Sequence, residues 1–202
     1  MYRKYLKRIF DFVAAIFGFI IMSPLFLLLC LIIKLDSKGP IFFQQRRVGK
    51  GKTEFLILKF RSMRMDAPKD QPTHLLKNPD IHITRVGKFL RKTSLDELPQ
   101  FINIIVGQMS IVGPRPALYN QYDLIAMRDE YGANDVRPGL TGWAQVNGRD
   151  ELPIDVKSKF DGEYIEKMSF LFDLKCIART FKSVSKAEGV VEGQNSSRKE
   201  LG

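Results

Sequence analysis

From Phe12 to Ile33 the chain reads FVAAIFGFIIMSPLFLLLCLII, twenty-two residues without a charge. A straight helix of that length rises about 33 Å, enough to cross the hydrocarbon core of a bilayer. The run exceeds the apolar core of a signal peptide and lacks a small-residue cleavage site. Its length alone predicts a transmembrane anchor. Two features favour instead a re-entrant helix that enters and leaves by one face. Ser23-Pro24 sits at the centre of the run. Pro24 brings no amide hydrogen and its ring clashes with the Ile20 carbonyl, so a break is expected there, with the Ser23 hydroxyl at hand for a freed carbonyl. Basic residues also flank both ends, Arg3, Lys4, Lys7 and Arg8 before the run and Lys34, Lys38, Arg46 and Arg47 after it. Positive flanks stay in the cytoplasm, so both ends are expected there, joined by two arms of about 10–12 residues.

Past Asp36 the pattern changes to short elements. Ile41–Arg47 and Thr53–Lys59 flank Gly49-Lys50-Gly51 and predict a β-hairpin. Residues 66–80, with Pro68, Pro72 and Pro79, read as a surface loop. Thr84 is placed to cap a short basic helix ending near Arg91. A second helix is predicted from Leu95 to Val106, apolar at Leu98, Phe101, Ile102, Ile105 and Val106 and stopped by Gly107. Ala117–Tyr131 reads as a helix, Arg137–Gly142 as turn-rich, and Trp143–Val146 as a short strand or extended piece. Two further helices are predicted at about 153–167 and 171–186. The expected fold is α+β and mostly helical. A re-entrant helix-break-helix segment covers 1–36, a cytosolic domain containing the hairpin and the candidate chemistry covers 37–187, and a flexible polar tail covers 188–202.

Charge sharpens the membrane assignment. The chain has a formal net charge of +10. Residues 1–52 hold ten Lys or Arg against Asp11 and Asp36, leaving +2 for the rest. Positive charge bracketing an apolar run fits anionic lipid headgroups better than a nucleic-acid groove, and no nucleic-acid partner is expected. Cys30 and Cys176 have no paired spacing, which supports neither a zinc site nor a disulfide framework. With His74 and His82 as the only histidines, acid–base, nucleophilic or metal chemistry rests on carboxylates, Lys, Tyr or Ser.

The candidate chemistry centres on Asp96-Glu97 in SLDELPQ, with Arg91 and Lys92 upstream and the turn Gly113-Pro114-Arg115-Pro116 downstream. Ser94 and Glu97 have capping-box spacing, and a plain helix start is the competing reading. Successive helix residues lie about 100° apart, so the two carboxylates are expected to do different jobs rather than share a proton. A helix N-terminus and Arg91 are expected to lower the Asp96 pKa. An ionised, positioned Asp can attack phosphorus, and a neighbouring Glu can hold Mg²⁺ together with substrate phosphate. Arg115, fixed between two prolines, suits phosphate. In RPGLTGWAQVNGR the glycines permit close backbone approach to a ligand beside Arg137, Gln145 and Arg149, against the alternative of a structural loop. Asp161 and Tyr164, one helical turn apart, are placed to cap or to ligate.

Taken together, KRIFDFVAAIFGFIIMSP, PIFFQQRRVG, ILKFRSM, GKFLRKTSLDELPQFINIIVGQMSIVGPRP, VRPGLTGWAQVNGR and FLFDLK resemble the bacterial sugar-transferase family, in its small monotopic form. These enzymes initiate glycan assembly on polyprenyl phosphate. The resemblance implies that Asp96 attacks the β-phosphorus of a UDP-sugar, releasing UMP and leaving a phosphosugar on the enzyme. Undecaprenyl phosphate then accepts it, the first membrane step of capsule, exopolysaccharide, O-antigen or glycoprotein glycan assembly. It further implies Glu97 as the Mg²⁺ ligand, Arg91 and Arg115 near the phosphates, Asp161 with Tyr164 as an Asp-x-x-Tyr pair, and Ser23-Pro24 as the helix break. Lys59 and Arg61 of ILKFRSM join Arg137, Gln145 and Arg149 as substrate-binding candidates. The implied location is the cytoplasmic face of the bacterial plasma membrane, among its lipids. The stretches YNQYDLIAMRDEYGANDVRPG and ELPIDVKSKFDGEY depart from many small members, which leaves the sugar open among glucose, galactose and N-acetylated aminosugars. Oligomeric state is not legible. Glycosyl transfer with loss of UDP, and a non-catalytic membrane-surface adaptor, are the competing classes; the adaptor needs neither Asp96 nor Glu97.

Overall fold

The computed structural model describes residues 1–68, 76, 78–148 and 152–186. Most of the 66–80 loop, Arg149 and the tail 188–202 lie outside them. Six helices are used below: α1 (Lys7–Asp36), α2 (Arg85–Lys92), α3 (Gln100–Ile105), α4 (Tyr122–Glu130), α5 (Ile154–Lys167) and α6 (Phe170–Lys186). Two strand pairs accompany them: the antiparallel hairpin of β1 (Phe42–Val48) and β2 (Glu54–Phe60), and the parallel pair of β3 (Ser110–Val112) and β4 (Gly139–Thr141). The fold is therefore α+β and mostly helical.

Among the described residues one helix, Tyr2–Asp36, is long and apolar enough to cross a membrane, and only 11% of its apolar window is buried. Ser23 Oγ donates to the Ile20 carbonyl at 2.8 Å, the acceptor that Pro24 leaves without its usual amide. Helical geometry nevertheless runs unbroken from Lys7 to Asp36, so the expected break is a local defect in one helix rather than an interruption.

Ala15, Leu29 and Ile33 face inward, while Phe17, Ile20, Leu27, Leu31 and Leu35 are exposed. Lipid is as apolar as leucine, so polar contacts must fix how such a helix sits. They occur at both ends. Near its start, Arg8 donates to the Ile104 and Ile105 carbonyls (2.6 and 2.9 Å), and Asp11 accepts from Ser110 Oγ (2.6 Å) and the Ile111 amide (3.0 Å). Lys7 pairs with Asp173 of α6 at 2.6 Å. At the far end, Arg61 donates to the Ser37 and Lys38 carbonyls (2.6 and 2.7 Å). Both ends are thus held by the same domain.

In β2, Phe55 and Ile57 point into the core. Strand alternation continues that face to Lys59, which delivers an ammonium group to the interior. Three expected elements come out differently. The helix expected from Leu95 to Val106 is a 3₁₀ turn at Leu95–Glu97 followed by α3, because Pro99 has no amide to donate to Leu95. The helix expected from Ala117 begins only at Tyr122. The hairpin edge captures the preceding residues: the Val48 amide donates to the Ala117 carbonyl (2.9 Å) and Arg47 to that of Pro116 (3.0 Å). Trp143–Val146 is a turn running into a 3₁₀ helix at Gln145–Asn147, and the strand lies earlier, in β4. The RPGLTG glycines serve that strand pair. A Cβ on Gly139 would lie 2.1 Å from the Gly113 amide nitrogen, and one on Gly142 would lie 2.0 Å from the Gly113 carbonyl oxygen.

Candidate active site

Asp96 and Glu97 sit on the 3₁₀ turn between α2 and α3. Thr84 caps α2 as expected, accepting from the Gly87 amide at 2.9 Å. The capping box of Ser94 and Glu97 does not form. Ser94 is left-handed (φ 57°), whereas an N-cap needs extended backbone, and its side chain makes no capping hydrogen bond. Glu97 is free of that task and turns to cations. Its Oε1 accepts from Lys59 at 2.7 Å and from Arg115 at 2.9 Å. Lys59 also lies 3.5 Å from Asp96 Oδ2. Asp96 itself is 6% exposed.

Burial divides the two acids. For Glu97 it raises the pKa, but Arg115 and Lys59 outweigh it and hold the carboxyl well below the usual carboxylate range. For Asp96 burial dominates. The opposing pull of Lys59, Arg91 and Arg115 does not offset it, and the Glu97 charge adds to the rise, so the carboxyl lies above its ordinary pKa. This reverses the expected lowering. A three-residue 3₁₀ turn supplies little dipole, and the nearest cations are engaged by Glu97.

Two cavities meet at this point. One, of about 470 Å³, is lined by Asp96, Glu97, Arg115, Gln145, Arg128 and Lys157 among others. Arg115 and Gln145 follow the carboxyl ends of the parallel strands β3 and β4, the usual place for a ligand in such an arrangement. The other cavity, of about 670 Å³, shares Asp96, Lys59, Arg91 and Arg47 with the first. Of the candidates from sequence, Lys59, Arg91, Arg115 and Gln145 therefore gather at the acidic pair. Arg61 lines the larger cavity, but its guanidinium caps the end of α1. Arg137 donates to the Gly107 carbonyl at 2.7 Å, at the opposite end of α3 from the acids. Asp161 and Tyr164 are buried behind the smaller cavity. Asp161 pairs with Arg128 at 2.6 Å, and the Tyr164 hydroxyl reaches Asp173 (2.8 Å) and the Val112 carbonyl (3.0 Å). Arg149 lies outside the described residues.

The family model of bacterial sugar transferases matches residues 2–187. The chain belongs to the bacterial sugar transferase family. Among its relatives is a sugar transferase of Bacillus subtilis, EpsL, 37% identical over 185 residues, which cover 92% of this chain and 90% of that one. The UDP-glucose:undecaprenyl-phosphate glucose-1-phosphate transferase of Escherichia coli is 42% identical over 88% of this chain, but over only 39% of its own length. The UDP-N-acetylgalactosamine-undecaprenyl-phosphate N-acetylgalactosaminephosphotransferase of Aeromonas hydrophila is 38% identical over 89% of this chain and 44% of its own.

In this sugar transferase, sequence reasoning missed Arg128 and Lys157 as cavity-lining cations. Arg128 lies in a helix without an apolar periodicity, and its partner Asp161 is 33 residues away, so no local spacing announces the pair. Arg128 Nη1 also donates to the Arg115 carbonyl at 2.9 Å, which fixes the backbone that presents Arg115. Among the described residues no group of three or more His, Cys, Asp or Glu stands ready as a metal cage. The donor set at the site, two adjacent carboxylates, fits Mg²⁺ of the kind that takes one or two protein carboxylates and completes its shell with phosphate and water.

Proposed function

We propose that this sugar transferase moves a sugar 1-phosphate from a UDP-sugar to undecaprenyl phosphate through a covalent intermediate on Asp96, releasing UMP. The observation that carries the reading is the division of the acidic pair. Glu97 is a fixed anion between two cations, whereas Asp96 is a buried carboxylate, costly to keep charged, at the junction of two cavities. A desolvated carboxylate is the better nucleophile of the two. Its oxygen forms a bond to the β-phosphorus, the bond from that phosphorus to the bridging oxygen breaks, and UMP leaves as the dianion. An acceptor phosphate oxygen then bonds to the same phosphorus, the Asp96–phosphorus bond breaks, and the carboxylate is restored. With a dianionic acceptor neither step needs a proton.

Lys59, Arg91 and Arg115 balance charge on the transferring phosphoryl group, and preorganised cations of this kind supply the larger part of such catalysis. Mg²⁺, held by Glu97 beside Asp96, would neutralise diphosphate oxygens. Gln145 Oε1 is buried without a hydrogen-bond partner among the described residues and suits a donor hydroxyl or imide N–H. The relatives' names support a UDP-sugar donor and an undecaprenyl phosphate acceptor and differ in the sugar, glucose in one and N-acetylgalactosamine in the other. For this chain the donor is proposed at the level of that class. Attachment of both ends of α1 to one domain supports a monotopic enzyme on the cytoplasmic face.

Intact-protein mass spectrometry after incubation with Mg²⁺ and a panel of UDP-sugars tests the reading. A mass gain of one phosphosugar, absent in Asp96→Asn, is expected. UDP in place of UMP as the product, or UMP release by Asp96→Asn at the wild-type rate, would overturn it.

A further inference from the structure

A buried ionic cluster lies away from both cavities, and the chemistry proposed above does not use it. Lys7 of α1 donates to Asp173 Oδ2 of α6 at 2.6 Å and lies 3.7 Å from Asp11, one turn along its own helix. Tyr2 donates to the same Asp173 oxygen at 2.6 Å, and the Tyr164 hydroxyl of α5 donates to the other at 2.8 Å. Asp11 in turn accepts from Ser110 Oγ of β3 at 2.6 Å. Lys7, Asp11, Ser110, Tyr164 and Asp173 are all buried, and none of them lines either cavity. Buried ion pairs add little stability over well-packed apolar side chains. The three charges therefore do more to define one seat for α1 than to strengthen it.

The cluster converges on one backbone atom. The Val112 carbonyl accepts from Tyr164 Oη at 3.0 Å and from Ser110 Oγ at 2.9 Å. Each hydroxyl has one proton and shares it between that carbonyl and a carboxylate, Asp173 for Tyr164 and Asp11 for Ser110. Val112 leads directly into Gly113-Pro114-Arg115-Pro116. Pro114 and Pro116 fix their own φ and restrict the residue before each, so Arg115 has little freedom to absorb a shift at Val112. Arg115 reaches Glu97 at 2.9 Å, and Arg128 holds its carbonyl at 2.9 Å.

We propose that Tyr164 and Ser110 are positioning residues for Arg115, and that Lys7, Asp11 and Asp173 make their grip on the Val112 carbonyl depend on how α1 is seated. The apolar helix thereby sets the aim of a cation beside the acidic pair. A domain whose α1 leaves this seat keeps Arg115 but loses its placement. The step that Arg115 serves rests on the function proposed above, whereas the linkage from Lys7 to the turn does not.

A double-mutant cycle in the full-length enzyme in nanodiscs tests the positioning. Tyr164→Phe keeps the ring in the core, and Val112 and Asp173 each retain another donor. The variant is expected to slow nucleotide release from a UDP-sugar about ten-fold, and Ser110→Ala to do the same. In an Arg115→Met background either change should cost less than about two-fold, the non-additivity of residues that act through one another. Losses that multiply in full in that background would leave Tyr164 and Ser110 with structural roles only and overturn the proposal, as would wild-type rates in the single variants. The cycle counts any nucleotide released, so it stands even where the covalent intermediate fails.

Amide hydrogen exchange measures the linkage without turnover. Lys7→Met is expected to speed exchange at residues 110–118, far from the substitution in sequence. Tyr2→Phe, which leaves Lys7 on Asp173, should give the same change to a smaller degree and serves where Lys7→Met does not fold. Unchanged exchange at 110–118, or faster exchange spread evenly over the domain, refutes the proposal. If no UDP-sugar is turned over, the enzymatic reading falls, and exchange alone decides whether α1 and the turn are linked.

Discussion

The Lys59 ammonium lies 2.7 Å from the Glu97 carboxylate and 3.5 Å from that of Asp96, so one cation from a hairpin strand serves two acids on a turn. Its effects on them differ. Glu97 also has Arg115, whereas Asp96 is already raised above its ordinary pKa by burial, with Lys59 the strongest force in the other direction. Attack requires ionised Asp96, so the rate of UMP release in a single turnover should rise with pH through this elevated pKa. Removing Lys59 raises it further. Lys59→Gln is expected to move the acid limb to higher pH and to recover part of its lost rate as pH increases. A lowered rate with an unmoved limb would show that Lys59 acts on substrate alone.

Asp96→Asn should make the protein inactive and more stable. A carboxyl whose folded pKa exceeds its unfolded value costs stability above the folded pKa, and that cost vanishes below the unfolded one. At pH 7.5 the variant is expected to melt above the wild type, on the scale of about 2–4 °C per kcal/mol for a chain of this size. The difference should narrow on acidification toward pH 4. A variant less stable than the wild type at neutral pH would mean that the cations around Asp96 outweigh its burial.

The Arg128–Asp161 pair separates stability from activity. Both side chains are buried, at 4% and 1% exposure, and burial leaves the Asp161 carboxyl above its ordinary pKa despite Arg128. Removing one partner strands the other, so Asp161→Ala is expected to destabilise by about 3–5 kcal/mol in chemical denaturation. Replacing both with apolar residues, Arg128→Met with Asp161→Leu, should restore most of that loss. Activity should stay low in the double variant because Arg128 lines the smaller cavity and holds the Arg115 carbonyl.

What the sequence disclosed, and what it withheld, follows from the range of each interaction. The hairpin, the Thr84 cap and helices α5 and α6 rest on signals within a few residues, namely a glycine turn, an N-cap spacing and apolar periodicity. The start of α4 depended on Arg47 and Val48 capturing Pro116 and Ala117, about 69 residues away, which no local pattern encodes. At the site, the acidic pair and its companions Lys59, Arg91 and Arg115 were visible as motif residues. That burial would raise Asp96 was not, because nothing in SLDELPQ marks one acid as buried and only the folded surroundings exclude water. That Arg61 and Arg137 bind backbone carbonyls near helix ends was not legible either, because a basic residue in a motif looks alike whether it meets a phosphate or a carbonyl.

The topology of α1 gives the last prediction. Arg8 and Asp11 bind the domain near one end of the helix and Ser37 and Lys38 near the other, through contacts that a helix crossing to the far side could not keep together. A 30-residue helix is about 45 Å long, more than the thickness of the hydrocarbon core. Single cysteines at exposed Lys4 and Lys38, in a Cys30→Ala background, report on which side each end lies. Native Cys176 does not compete, since it is fully buried and its thiol is pushed up to about 12 by that burial. An impermeant maleimide is expected to label both positions in inside-out vesicles and neither in intact spheroplasts. Labelling of Lys4→Cys from the outer face would establish a spanning helix, and the contacts of Arg8 and Asp11 with the domain would then have to break in the membrane.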